Sequence, residues 1–201
     1  GVALANINLA EGYLKQGNYQ EALRHAHEAI AIDAREGEAL EKAYSTHTLG
    51  NIYAAQQNFT QALSYYHQSL QLTREGMGEG SLEPNLLLCI GNAYQAMGDM
   101  ERALFYFNES LQLGEKMDFR VATYQTHEAL ASYYKTIRVF EQALHHFEQF
   151  HHLKETIFNS ESEQKMRAME VLHRTETARK EAELQQRKNK ELQEHIYGLE
   201  A

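Results

Sequence analysis

Leu49-Gly-Asn-Ile-Tyr53, followed by Phe59-Thr-Gln-Ala62-Leu63, decides the fold, because the same two strings return in phase along the chain. Ile90-Gly-Asn-Ala-Tyr94 precedes Met100-Glu-Arg-Ala103-Leu104. Leu9-Ala-Glu-Gly-Tyr13 precedes Tyr19-Gln-Glu-Ala22-Leu23, and Leu130-Ala-Ser-Tyr-Tyr134 precedes Phe140-Glu-Gln-Ala143-Leu144. The alanines Ala22, Ala62, Ala103 and Ala143 stand 40, 41 and 40 residues apart, and a fixed period of this size signals stacked supersecondary units. A small residue twelve positions before each alanine (Ala10, Gly50, Gly91, Ala131) lets a first helix pack closely on a second. Tyr13, Tyr53, Tyr94 and Tyr134 add bulk to that seam while their hydroxyls reach its wet edge. Between the two strings lie Gln16-Gly-Asn18, Gln57-Asn58, Gly98-Asp99 and Arg138-Val139. The first three suit a left-handed turn residue followed by a helix cap; the fourth does not, so it is the least specified turn.

These residues resemble the tetratricopeptide family, with its Leu-Gly-x-x-Tyr first helix, short turn and Ala-x-x-x-Phe/Tyr second helix; the second-helix position holds Ala26, Tyr66, Phe107 and Phe147. The resemblance implies an all-α, right-handed superhelical solenoid of antiparallel helix pairs, with repeats at about 3–36, 37–77, 82–117 and 119–157, and residues 158–201 as a capping and linker helix. Two departures are visible: the usual period is lengthened to about 40, and the proline that ends the second helix is replaced by Ala34, Arg74 and Glu115. Both predict helices longer by a turn or two. Pro84 instead opens a first helix, where its missing N–H costs nothing. Val2, Leu4, Ile7 and Leu9 read as an apolar stripe awaiting a neighbour; with no start methionine, this predicts further repeats upstream in a longer parent.

From about Ser160 charge replaces the repeat signature. With position a at Ala168, a heptad series runs through Val171, Thr175, Ala178, Ala182, Gln185, Asn189, Leu192, Ile196 and Leu199. Its first turns (Met166, Met169, Leu172) are expected to cap the fourth repeat. Residues 176–200 are expected to form a parallel two-stranded coiled coil, with Ala182, Asn189, Leu192, Ile196 and Leu199 in the dimer seam. The string Thr175-Glu-Thr-Ala-Arg-Lys-Glu-Ala-Glu-Leu184 resembles linker helices that join tetratricopeptide sensory regions to outputs such as GGDEF diguanylate cyclases or histidine kinases of bacterial signalling proteins.

Composition narrows the function. With 28 acidic and 19 basic residues the formal charge of −9 is the wrong sign for neutralising phosphates, so no nucleic-acid partner is expected. The longest apolar run, Leu86 to Ile90, falls far short of the roughly 20 residues that span a bilayer, so no membrane insertion is expected. The single cysteine, Cys89, forms no intrachain disulfide, which fits a reducing, cytoplasmic setting. Gly76-Met-Gly-Glu-Gly80 lacks the Lys-Ser/Thr of a phosphate loop and reads as a connection between repeats. Among the 11 histidines, His145, Glu148 and His152 share a helix face, but His145/His146 and His151/His152 point in several directions, and solvated or structural histidine is the stronger reading. His173 lacks the context of a phosphoacceptor. No catalytic motif, metal site or cofactor is expected.

What remains is surface. The family resemblance implies that first helices line a concave face, where the residue after the small position contacts a bound peptide: Glu11, Asn51, Asn92 and Ser132. One turn before it lie Ile7, His47, Leu88 and Glu128; one turn after lie Gln95 and Lys135. The expected peptide-binding set is His47, Asn51, Asn92, Gln95, Glu128, Ser132 and Lys135, since an amide such as Asn both donates to and accepts from a peptide backbone. Glu11 stands where a carboxylate clamp would need a base or amide, so a C-terminal acidic peptide is not the expected ligand. The expected function is a sensory, peptide- or protein-binding region coupled through a dimeric helix to an output domain. The alternative is a passive adaptor or assembly scaffold whose last helix is only a cap.

Overall fold

The computed structural model describes residues 1–76 and 82–159, and thereafter 162, 164–166, 169, 175 and 179. All of its regular structure is helical among the described residues: α1 (Val2–Lys15), α2 (Tyr19–Glu36), α3 (Ala39–Ala55), α4 (Phe59–Glu75), α5 (Leu82–Ala96), α6 (Met100–Lys116) and α7 (Arg120–Thr136). An eighth helix, α8, starts at residue 140. Contacts divide the chain into a unit of residues 1–154 and a second of residues 155–201. In the first unit each helix packs on the next, and α3, α5 and α7 each touch the first helix of the pair before, giving a tetratricopeptide-like solenoid. The second helices α2, α4 and α6 run for 18, 17 and 17 residues.

Four turns fold the pairs. Gly17, Gln57, Gly98 and Arg138 occupy one equivalent position with φ of 74°, 60°, 82° and 62°. That left-handed conformation is free for glycine and costs an ordinary residue about 1–2 kcal/mol. Asn18, Asn58 and Asp99 follow it, each accepting a hydrogen bond from the backbone N–H three residues on. At the fourth pair Arg138 takes the same backbone although neither it nor Val139 is a turn former, and Val139 has no side-chain oxygen to cap with. Helix packing on either side therefore imposes the turn.

The core follows the alanines. Ala22, Ala62 and Ala103 are wholly buried. Ala43, Leu63, Tyr66, Leu86, Ile90, Phe107 and Leu130 belong to one cluster running from α3 to α7, and Ala10, Ala26, Leu49 and Ile52 to another joining α1, α2 and α3. Polar links recur in register. Ser69 Oγ donates to the carbonyl of Ala43 (2.7 Å) and Ser110 Oγ to that of Pro84 (2.8 Å), 41 residues later on both sides. Ile7 departs from the expected apolar stripe: it is buried, while Val2, Leu4 and Leu9 are exposed, because the side of α1 that carries Ile7 turns inward.

In the second unit, residues 155–159 are helical. Met166 and Met169, expected to pack as a cap, are 70% and 71% exposed. Leu172, His173 and the whole seam of Ala182, Asn189, Leu192, Ile196 and Leu199 lie outside the described residues.

Candidate functional site

Each helix pair is locked by two ring contacts that the repeat sets in place. The first-helix tyrosine stacks on the ring three residues after the repeat alanine: Tyr13 on His25, Tyr53 on Tyr65, Tyr94 on Tyr106 and Tyr134 on His146. Centroids are 5.4–5.5 Å apart and the planes tilt by 13° at most. One residue further on, the second-helix aromatic presses into the small position. A Cβ at Gly50 would lie 2.5 Å from the Tyr66 ring, and one at Gly91 would lie 2.6 Å from the Phe107 ring. The first pair avoids this clash with Ala10 against Ala26, both fully buried. The fourth pair combines Ala131 with Phe147, and Phe147 is 49% exposed. The methyl of Ala131 stands where the second and third pairs have glycine against a ring, and Phe147 faces solvent.

The expected peptide-binding residues fall into three groups. His47 and Asn51 on α3 are half-buried and meet Cys89 and Tyr66. Tyr66 donates its hydroxyl proton to Asn51 Oδ1 at 2.9 Å, which engages the amide oxygen and leaves the amide N–H groups as donors. Cys89 Sγ lies 3.8 Å from His47 Nε2. Burial pushes the Cys89 thiol up to about 11 and His47 down to about 4, so both stay neutral. Asn92 is exposed and Gln95 half-buried, and neither side chain is used in a hydrogen bond among the described residues. Glu128, Ser132 and Lys135 on α7 are exposed and line a groove of about 460 Å³ with Ala131, Phe140, Ala143, Leu144, Phe147 and Phe150. Leu88 and Ile7, at the position one turn before, are buried and drop out of any contact surface.

Several of the described histidines pack between helices. His127, buried on α7, shares one proton with His146 on α8, Nδ1 to Nδ1 at 2.9 Å. Burial, reinforced by His146 and His145, depresses His127 to about 4. Its counterpart in the first pair is Asn6, whose Oδ1 lies 2.8 Å from His25 Nδ1. His145 and His151 are exposed, and His151 packs its ring against Phe147 at 4.5 Å. Among the described residues no group of three or more His, Cys, Asp or Glu side chains converges to hold a metal ion, and no helix is long and apolar enough to cross a membrane.

Sequence reasoning missed the ring stacks and the exposed apolar row on α8. The first was readable: His25, Tyr65, Tyr106 and His146 all stand three residues after a repeat alanine.

Comparison with known proteins places this geometry. Tetratricopeptide repeat family models match residues 1–75 and 86–115, together more than half of the chain. Photosystem I assembly protein Ycf3 of Acaryochloris marina (strain MBIC 11017) is 41% identical over 56 residues, which is 28% of this chain and 32% of that protein. The match thus spans about a third of the relative. Among solved structures, RapI in its apo form superposes with a TM-score of 0.68 at 18% identity, covering 80% of this chain and 58% of RapI. BtubC from P. vanneervenii gives 0.66 at 19% identity over 77% of this chain and 64% of that one. A STAND-class signal transduction ATPase with a tetratricopeptide repeat sensor from Pyrococcus horikoshii gives 0.66 at 20% identity, covering 80% of this chain and 25% of that one. At such identities these structures speak for the fold alone. With four in-phase helix pairs, the stacked rings of each pair and two matching family models, the chain belongs to the tetratricopeptide repeat family.

Proposed function

We propose that the chain is a non-catalytic module that binds a protein or peptide along its first helices. The observation that carries the reading is the set of first-helix polar side chains left unused by the fold: Asn92, Gln95, Glu128, Ser132 and Lys135, with the pre-oriented amide of Asn51 beside them. Amides and short hydroxyls suit a peptide backbone, and the opposed charges of Glu128 and Lys135 can fix its direction. Half-buried Cys89 and His47 and buried His127 are all neutral and not poised as nucleophile or base near neutral pH, which supports the reading of a non-catalytic module.

A displayed-peptide library selected on the full chain tests this. A recurring sequence motif is expected, with at least tenfold weaker binding to the Asn92→Ala/Gln95→Ala variant. No enrichment, or equal binding by the variant, would count against it.

The match to an assembly protein favours an adaptor role, in which the bound partner is a subunit held for incorporation. The sensory reading rests on the heptad series through Ala182, Asn189, Leu192, Ile196 and Leu199, which would carry binding to a dimeric output. Light scattering on chains with and without residues 176–201 separates the two, since only the sensory reading needs a dimer that those residues hold together.

A further inference from the structure

Within the first unit, α7 and α8 present a face whose counterparts are covered. The pair α3–α4 is covered by α5, and Leu63 and Tyr66 are buried there. The pair α5–α6 is covered by α7, whose Tyr133 meets the Phe107 ring edge-on at 6.3 Å. At the equivalent places on α8, Leu144 is 58% and Phe147 49% exposed, and Phe140 one turn earlier is 65% exposed. Together with Ala131 they line the groove described above.

We propose that this face docks an amphipathic helix of a partner protein, laid over α7 and α8 as α7 lies over α5 and α6. The inference rests on the protein-binding reading and names the class of partner. Two arguments select this occupant. The face continues the α4–α5 and α6–α7 interfaces, which are helix-on-helix, so a helix fits it and an extended strand does not. The second is charge. Glu128 and Lys135 form no ion pair among the described residues and stand two turns apart on α7, about 10 Å along its axis.

Alternate helices of the solenoid run parallel, so an incoming helix parallel to α7 brings its middle to Glu128 and its C-terminal end to Lys135. Lys135 then faces the negative end of the helix dipole. The exposed Phe147 ring is then the anchor, since exposed aromatics that become fully desolvated dominate such interfaces. The partner helix carries aliphatic residues at i, i+3 or i+4 and i+7, a small residue against Phe147, a basic side chain near Glu128 and an acidic one near Lys135.

The probe is a synthetic peptide based on α7 (Arg120–Thr136), the helix that covers the preceding face, carrying Glu128→Lys, Tyr133→Ala and Lys135→Glu so that it meets these requirements, labelled and titrated into the full chain. Saturable binding by fluorescence anisotropy is expected. Phe147→Glu and Leu144→Glu should each weaken it at least tenfold. Phe105→Glu, an exposed position on α6, should leave it unchanged. The altered residues are solvent-exposed, and matching circular dichroism confirms that all three variants fold. Absence of saturable binding, or binding indifferent to both α8 substitutions, would overturn the proposal. So would self-association of the peptide-free chain that the same substitutions abolish, because the face would then belong to a second copy. The library selection on Asn92 and Gln95 can succeed whatever this titration gives, so failure here leaves the broader reading standing.

Discussion

Replacing Gly91 with alanine sets two effects of opposite sign against each other. In the middle of a helix, alanine is favoured over glycine by about 0.8–1 kcal/mol, so propensity alone makes Gly91→Ala stabilising. The added methyl, however, would lie 2.6 Å from two atoms of the Phe107 ring and 3.3 Å from the carbonyl oxygen of Ala103. Carbon atoms rest about 3.5–4 Å apart, so the ring has to retreat by roughly an ångström. Phe107 is fully buried and braced edge-on by Tyr133, which leaves it no free direction.

Overpacking of this kind costs about 1–3 kcal/mol, and expulsion of the ring would approach the 3–5 kcal/mol of a Phe→Ala change. Steric cost should therefore win, leaving Gly91→Ala destabilised by about 1–2 kcal/mol. For a chain of this size that lowers the melting temperature by roughly 2–8 °C. Thermal and urea denaturation followed by circular dichroism measure it. In a Phe107→Ala background the clash is gone, and the same Gly91→Ala change should turn stabilising by up to about 1 kcal/mol. A higher melting point for the single variant, or the same sign in both backgrounds, would refute the close-packing argument.

The fourth turn should be improvable. Arg138→Gly removes a left-handed arginine and Val139→Asp supplies the missing cap to the N–H of Gln142, and each should stabilise by about 0.5–1 kcal/mol in urea denaturation. Acid should weaken the fold through His47 and His127. Both have folded values near 4 against about 6.5 unfolded, so below 6.5 the unfolded chain takes up protons that the folded one refuses. Stability is then lost as pH falls from 6.5 to 4, by at most about 3 kcal/mol per histidine, and His127→Gln should flatten that slope.

The fold was legible because its signals are periodic: one alanine every 40 or 41 residues carries the helix pairs, the small positions and three of the four turns with it. The fourth turn was harder to read, since Arg138 and Val139 have no intrinsic turn preference and the flanking helices hold them in place. The candidate site was only partly legible. Spacing put His47, Asn51, Asn92 and Glu128 on first helices, yet it could not tell that Tyr66 would engage Asn51 or that Leu88 would be buried. Those outcomes depend on contacts between helices 15 or more residues apart, beyond the reach of any single-helix pattern.

Fold and function meet at the position twelve residues before the repeat alanine. Glycine there admits a ring and closes the pair, as with Gly50 and Tyr66 or Gly91 and Phe107. Alanine there closes the pair only when its partner is also small, as with Ala10 and Ala26. Ala131 opposite Phe147 satisfies neither condition, and the solvent-facing ring that results is costly for a monomeric surface. Three large apolar side chains on one helix face, Phe140, Leu144 and Phe147, share that exposure. Restoring the glycine with Ala131→Gly gives up about 1 kcal/mol of helix propensity and admits the ring. The groove loses its anchor as a result. Binding of the α7 peptide should then fall, while urea stability holds or rises, because burial of the ring offsets the propensity cost. A merely structural role for residue 131 predicts lost stability and unchanged binding, so the two measurements taken together decide whether the misfit is there for a partner.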